Sequence, residues 1–253
     1  MDVSKIDART AAAMVARMGT VLADELRAIA RDTASPVHAE IDAIRALREV
    51  DPRLHAQTCV VFAIISPRTK FEKNVRATRR MMHAIDRDFS TVDDVYQCLT
   101  DGGKDSWFSA GGVSRSLFAS LAWIRTLDID DMNKPALLAL NRAGTVKGLG
   151  RKTASMAVAL FDASAPVITL DVHMLRGLLK CANMNAVGDL SINDSAYDVL
   201  EASVLNSIDD LLNGAHIDYF YFQWALWNRW GFGTHVTHLP IFIDDTNAEP
   251  SLY

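Results

Sequence analysis

Cysteine is scarce in this chain: three residues in 253, Cys59, Cys98 and Cys181, odd in number and widely separated. That pattern fits a reducing compartment and excludes a four-cysteine zinc or iron–sulfur site built from the chain alone. Long apolar runs are missing too. The most apolar stretch, Cys59 to Ile65, is far shorter than the roughly 20 residues of a membrane-spanning helix. No secretory leader is visible: the apolar stretch near the start is interrupted by Arg17 and flanked by Asp2, Asp7, Asp24 and Glu25, which predicts an amphipathic helix of the mature, cytoplasmic protein. Runs of alternating β-branched residues are absent, whereas almost every segment carries helical periodicity, so the expected fold class is all-α.

What is present is the composition of an ordinary globular protein, 49% hydrophobic and 23% charged, at a length that predicts two lobes rather than one. Helices are expected at Asp7–Ala30, Pro36–Arg48 (Ser35 as N-cap), Arg53–Ile65, Phe71–Arg87, Thr91–Leu99 and Val113–Leu127. Further helices are expected at Lys134–Arg142, Arg151–Phe161, Val172–Cys181, Asp194–Asn206 and His216–Trp230.

The net charge of −5 argues against a polyanionic partner until its distribution is considered. From Ser66 to Arg80 there are six cations (Arg68, Lys70, Lys73, Arg76, Arg79, Arg80) against Glu72. From Asn141 to Lys180 there are six more (Arg142, Lys147, Arg151, Lys152, Arg176, Lys180) against Asp162 and Asp171, while the chain from Glu201 onward is acidic. A basic face on an acidic body is one reading and solvated helix faces the other.

The informative stretch is Asn141 to Lys180. Its first half reads as a helix, a tight turn Val146-Lys147-Gly148-Leu149-Gly150, and a second helix opening with Arg151-Lys152-Thr153-Ala154. Glycines at alternate positions let backbone approach another surface closely, and the N-terminus of the second helix attracts phosphate, with Lys147 and Arg151 beside it. A GxG between helices is weak evidence alone. Lys152 adds to it, because an ammonium in the first turn meets an adverse dipole and cationic neighbours, conditions that favour the neutral amine needed to attack a sugar or carbonyl carbon. Nineteen positions on, Asp171 comes after an apolar run and precedes Val172-His173-Met174. It reads as an N-cap aspartate, a role compatible with chemistry because a capping carboxylate is held rigid.

These two segments, Val146-Lys147-Gly148-Leu149-Gly150-Arg151-Lys152-Thr153-Ala154 and Leu170-Asp171-Val172-His173-Met174, resemble those of the helix-hairpin-helix DNA glycosylases, which include endonuclease III and 8-oxoguanine DNA glycosylase. Weaker similarity at Ile64 to Thr78 extends the resemblance over roughly residues 50 to 235. It implies a two-lobed helical fold with an active-site cleft between the lobes. One lobe would comprise 1–50 plus 165–253 and the other 51–164, ending in the hairpin at about 135–162. It implies that Lys152 attacks C1′ of a flipped-out nucleotide, that Asp171 assists, and that the strand is then cut by β-elimination, a bifunctional glycosylase/AP lyase. Lys147, Gly148, Gly150, Arg151 and Thr153 would hold the DNA, with His173 within reach of a phosphate. The implied partner is double-stranded DNA with a damaged or modified base, bound by a monomer. No iron–sulfur or other cofactor is expected, apart from a place for a monovalent cation at the hairpin.

The chain departs from the family at three points. The segment Tyr221 to Gly233 has no cysteine, so aromatic packing of Phe220, Trp224 and Trp227 is expected where relatives carry an iron–sulfur cluster. Arg68 stands where many relatives have a gap-filling glutamine. The loop that normally offers a bulky wedge reads Gly111-Gly112-Val113, leaving Val113 as the intercalating candidate. His235 and His238 are too few to bind a metal by themselves. Two rival readings stand beside this one: a glycosylase-fold enzyme recruited to DNA base modification, for example in a bacteriophage, and a non-catalytic hairpin that grips DNA. The retention of both Lys152 and Asp171 speaks against the second.

Overall fold

The computed structural model describes residues 1–30, 46–67, 69–212 and 219–231. Arg68, the Ser35-Pro36 helix start, His235, His238 and the Trp224 side chain lie outside the described residues. The chain divides into two compact units, with the boundary between Phe161 and Asp162 and the N-terminal helix joining the segment after it. No described helix is long and apolar enough to cross a membrane.

The unit formed by residues 46 to 161 is built around α2 (Pro52–Ile65). Asp51 caps this helix by accepting from Leu54 N at 3.0 Å, and Pro52 occupies the first helical turn, where its missing N–H costs nothing. Every residue from His55 to Ile65 is buried, so the most apolar run of the sequence is a helix surrounded on all sides. Around it stand α3 (Phe71–His83), α4 (Val92–Thr100), α5 (Ala110–Arg125), a 3-10 turn at Ile129–Asp131, α6 (Lys134–Ala143) and α7 (Arg151–Phe161). A Thr91/Asp94 capping box opens α4, and Asn133 opens α6.

In the other unit α1 (Ala8–Ala30), bent at Gly19, presents Met14, Met18, Leu22 and Leu26 at four-residue spacing, all buried. They meet Leu175, Leu178 and Leu179 of α8 (Val172–Cys181) and Leu200, Val204 and Ile208 of α9 (Asp194–Leu212). The helix α10 (Tyr219–Gly231) adds Phe222 and Leu226. Cys59 and Cys181 are buried thiols; burial pushes Cys181 up to about 11.

The helical class is as expected, with four local corrections. Residues Asp2–Ile6 (β1) and Asn185–Ile192 (β2) form a parallel strand pair that periodicity missed. Its residues carry few β-branched side chains, and it exists because Val3 and Ile6 bury against the helices and Asn185 N and Asn193 N bond to Met1 O and Ile6 O. The helix expected to run to Arg87 stops at His83, where the chain tightens into three-residue turns (Ala84 N to Met81 O at 3.1 Å, Ile85 N to Met82 O at 3.2 Å, Arg87 N to Ala84 O at 2.9 Å), and Arg125 donates to the carbonyls of Ile85 and Arg87 beyond it. The helix expected from Val113 begins at Ala110 and includes Gly111 and Gly112; buried Ala110, Val113, Ser114 and Leu117 hold its first turns. Finally, α9 continues past Asn206 to Leu212, since Ile208 extends its buried stripe.

Candidate active site

The turn between α6 and α7 is organised by alternation. Val146 and Leu149 are fully buried and anchor it, while Lys147, Gly148 and Gly150 remain exposed. Gly144 closes α6 in a left-handed conformation. Gly148 has φ +85° and lies against two helices: a Cβ there would come within 3.1 Å of Ser116 Cβ and 3.3 Å of Ile64 Cγ2. Only glycine satisfies both demands. Gly150 is different, with an ordinary φ and open space around it, so its lack of a side chain serves nothing inside the chain and leaves the backbone approachable from outside.

Hydroxyls lock the turn. Thr153 Oγ1 donates toward Gly148 O (2.6 Å) and Gly150 O (3.0 Å), and Ser120 Oγ of α5 accepts from Lys147 N at 2.8 Å. Thr153 is therefore a buried strut of the hairpin, not one of its exposed contact residues. The first intrahelical bond of α7 runs from Ala154 N to Gly150 O (2.8 Å), which places Arg151, Lys152 and Thr153 at the positive end of the helix dipole. Lys152 is half-buried in that first turn, and Lys147 projects from the exposed rim. A monovalent cation at the hairpin would have to share carbonyls that already accept internal hydrogen bonds, since Gly150 O receives both Ala154 N and Thr153 Oγ1. The described residues contain no group of three or more metal-ligating side chains.

In the other unit, Asp171 caps α8: Oδ1 accepts from His173 N and Met174 N, both at 2.9 Å. Its second oxygen accepts from the Trp227 indole N–H of α10 at 3.0 Å. Three donors thus fix the carboxylate. His173 packs its ring edge-on against Trp227, with centroids 5.7 Å apart. The extended segment leading to Asp171 makes no strand ladder, and side chains of α9 and α10 satisfy its amides instead. Glu201 Oε1 accepts from Ile168 N (3.0 Å), Gln223 Oε1 from Thr169 N (2.8 Å) and the Tyr197 hydroxyl oxygen from Leu170 N (3.0 Å). Buried Glu201 and Gln223 therefore have a definite task.

Sequence reasoning missed Trp227 as a site residue and assigned it to packing alone. The available signal was chemical: a partly buried indole N–H needs an acceptor, and a capping carboxylate has one oxygen left over. Glu201, Gln223 and Tyr197 gave no comparable signal, lying 27 to 54 positions from the amides they bind.

Two expectations are corrected. Val113, expected in a loop as a wedge, is a buried residue of α5 and faces the core of its unit. The basic stretch Ser66–Arg80 does not form an uncompensated face. Asp105, only 16% exposed, receives Arg76 through two hydrogen bonds (2.9 and 3.0 Å), Arg80 at 3.0 Å and Lys73 at 3.5 Å. Arg80 and Lys73 also donate to Leu99 O and Ser106 O. The Arg76 hydrogen bonds, together with those of Arg80, hold Asp105 well below the ordinary carboxylate range despite its burial. The second basic stretch is split by the unit boundary: Arg142, Lys147, Arg151 and Lys152 belong to the hairpin unit, Arg176 and Lys180 to the other.

Compared by sequence, the chain matches no protein-family profile and no curated protein. Compared by structure, it is similar to the 8-oxoguanine DNA glycosylase of Thermotoga maritima, with a TM-score of 0.61 and 16% identity over 84% of this chain and 96% of that one. At that identity the likeness is one of fold, extending over nearly the whole of both chains.

Proposed function

We propose that this protein is a DNA glycosylase with associated AP lyase activity, acting as a monomer on duplex DNA that carries a damaged or modified base. The observation that carries the reading is the hairpin. Its glycine-edged rim is locked from behind by Ser120 and Thr153 and leads directly into the turn that bears Lys152. The fold shared with a known 8-oxoguanine glycosylase supports the same conclusion.

In this scheme Gly148, Gly150, Lys147 and Arg151 take the DNA backbone through amides, charge and the helix dipole. The target nucleotide is flipped out of the stack. Lys152, as a neutral amine, forms a bond to C1′ while the C1′–N bond to the base breaks and the base leaves with the electron pair. Asp171 stabilises the cationic character that develops on the sugar and takes up the proton released by the amine. A fixed carboxylate beside a developing cation contributes several kcal/mol to such a step. Opening of the sugar ring gives a Schiff base on Lys152. Loss of a C2′ proton then expels the 3′ phosphate by β-elimination. Arg68 remains a candidate DNA contact on the strength of its sequence position alone.

The test is borohydride trapping on duplexes containing an abasic site, 8-oxoguanine, thymine glycol, uracil or 5-hydroxymethyluracil, with 8-oxoguanine first because the structural neighbour acts on it. A covalent adduct that disappears in Lys152→Ala, while duplex binding persists, is expected. An adduct undiminished in Lys152→Ala, or none on any duplex including the abasic one, overturns the mechanism.

A further inference from the structure

We propose that Trp227 is a positioning residue for base excision: its indole N–H holds the Asp171 carboxylate in one orientation without offsetting the negative charge that the carboxylate brings to the reaction. The inference rests on the glycosylase reading above, in which Asp171 meets the cation that develops on the sugar. Asp171 has two duties and two oxygens. Oδ1 serves the cap, accepting from His173 N and Met174 N at 2.9 Å each, so the chemistry falls to Oδ2. The last torsion of an aspartate side chain is broad, and an oxygen with no donor of its own would sweep through it. Trp227 Nε1 removes that freedom at 3.0 Å. Since a carboxylate oxygen accepts about two hydrogen bonds, the indole leaves one acceptor direction on Oδ2 and fixes where it points.

The nature of the donors separates this carboxylate from a structural one. Asp105, which fastens a loop to a helix, is met by Lys73, Arg76 and Arg80, and their charges more than offset its own. The donors that fix Asp171 are two backbone amides and an indole, all of them neutral. A neutral donor immobilises a charged acceptor and leaves it charged. That is the condition for stabilising a positive charge that appears only as the reaction proceeds.

Trp227 is itself firmly seated. Its chain neighbour Leu226 is fully buried and ties α10 to the core of its unit. One turn earlier Gln223 accepts from Thr169 N at 2.8 Å, so α10 grips the segment at Thr169 and again at Asp171. His173, whose N–H reaches Oδ1, packs its ring edge-on against Trp227 with centroids 5.7 Å apart. Asp171, His173 and Trp227 thus form a closed triangle, each in contact with the other two. Packing alone would be met by a phenyl ring, which lacks only the N–H.

The experiment compares wild type, Trp227→Phe, Asp171→Asn and the double variant in the full chain. It reads single-turnover excision on whichever duplex of the panel above the wild type processes fastest, and binding to a duplex with a non-cleavable abasic analogue. Trp227→Phe should excise about tenfold more slowly, the size of a lost hydrogen bond to a charged group, while binding the analogue within about twofold of wild type. Asp171→Asn, which keeps the cap, should lose about a hundredfold or more in rate. In that background Trp227→Phe should alter the residual rate by less than about twofold, because a residue that acts through the carboxylate has nothing left to act on. The indole N–H of Trp227, identified by its loss in Trp227→Phe, should also exchange faster with solvent in Asp171→Asn by NMR, a readout that needs no activity. The same loss of rate in both backgrounds, a loss of binding as large as the loss of rate, or unchanged indole exchange overturns the proposal and leaves the glycosylase reading in place. If the wild-type chain excises no base and nicks no abasic duplex, the glycosylase reading falls and this inference with it.

Discussion

The first basic stretch and the hairpin half of the second begin as equals in the sequence and end with different work. In the first, α3 and the loop before α5 close around Asp105, and Lys73, Arg76 and Arg80 fasten that loop to the helix. In the second, burial of Val146 and Leu149 turns Lys147 and the glycine backbone outward, and Ser120 holds the turn in that attitude. A cluster of cations therefore says little until the acids brought to it by the fold are counted. The first stretch holds the structure together, whereas in the second Lys147 and the glycine backbone stay exposed.

The sharpest way to break this contrast is at the glycines. Gly148→Ala must adopt φ +85° with Cβ against Ser116 and Ile64, so it should cost about 2–3 kcal/mol and lower Tm by roughly 5–10 °C in calorimetry. Gly150→Ala should leave Tm unchanged and weaken duplex binding regardless of the base carried. If both variants were equally stable, the hairpin would not be held as described.

Next in size is Asp105→Asn, which strands three cations around a neutral amide and should cost about 2 kcal/mol. The pH dependence has a definite sign. Because the carboxyl is held below its ordinary value of 3.8, its stabilisation is complete above that value and is lost only as pH falls through the lower folded-state value. The gap between wild type and Asp105→Asn should thus be the same at pH 7 and at about pH 5 in urea denaturation, closing only in strong acid. A gap that closed near neutrality would mean that the carboxylate is not what holds the cluster.

The smallest effects separate the two stretches directly. Lys147→Ala should reduce the slope of log affinity against log salt by about 1 without changing stability. Arg76→Ala should leave that slope unaltered and change stability by no more than about 1 kcal/mol, its guanidinium being half exposed. Reversed slopes would assign the DNA contact to the wrong stretch.

Much of the site was legible because its determinants are local. The hairpin is a short pattern in which apolar, glycine and cationic positions alternate, and an N-cap aspartate is recognised from the few helical residues immediately after it. The helix ends were less legible, as at α3, where the chain tightens after His83 and Arg125, far along the chain, donates to the carbonyls of Ile85 and Arg87 beyond the helix. Val113 was misread because glycines ahead of it look like a loop, yet the burial of Ala110, Ser114 and Leu117 carries the helix through them. The β1–β2 pair was invisible because its two halves, joined for example at Asp2 and Asn185, lie 183 positions apart and neither has strong strand character alone.

His55 illustrates the same limit inside the core. In sequence it is one polar residue near the start of an apolar helix. In the structure it is 1% exposed and stacks on Phe161 at 5.4 Å, with Arg48 over the same ring. Burial first, then the Arg48 charge, hold it neutral down to about 4; the Leu160 backbone opposes that shift weakly and completes no well-formed hydrogen bond to either ring nitrogen.

Short stretches of chain were enough to set the helical class, the position of the hairpin, Lys152 in the first turn of its second helix, and Asp171 at the start of another. Each comes from periodicity, capping and glycine chemistry acting within a few residues. Long-range packing was needed before Asp105 could absorb one set of cations, before Trp227 could take the spare oxygen of Asp171, and before Glu201, Gln223 and Tyr197 could steady the approach to it. The same packing buries Val113. Those outcomes depend on which helices come together, and the free energy that selects among packings is spread over the whole core rather than written in any one segment.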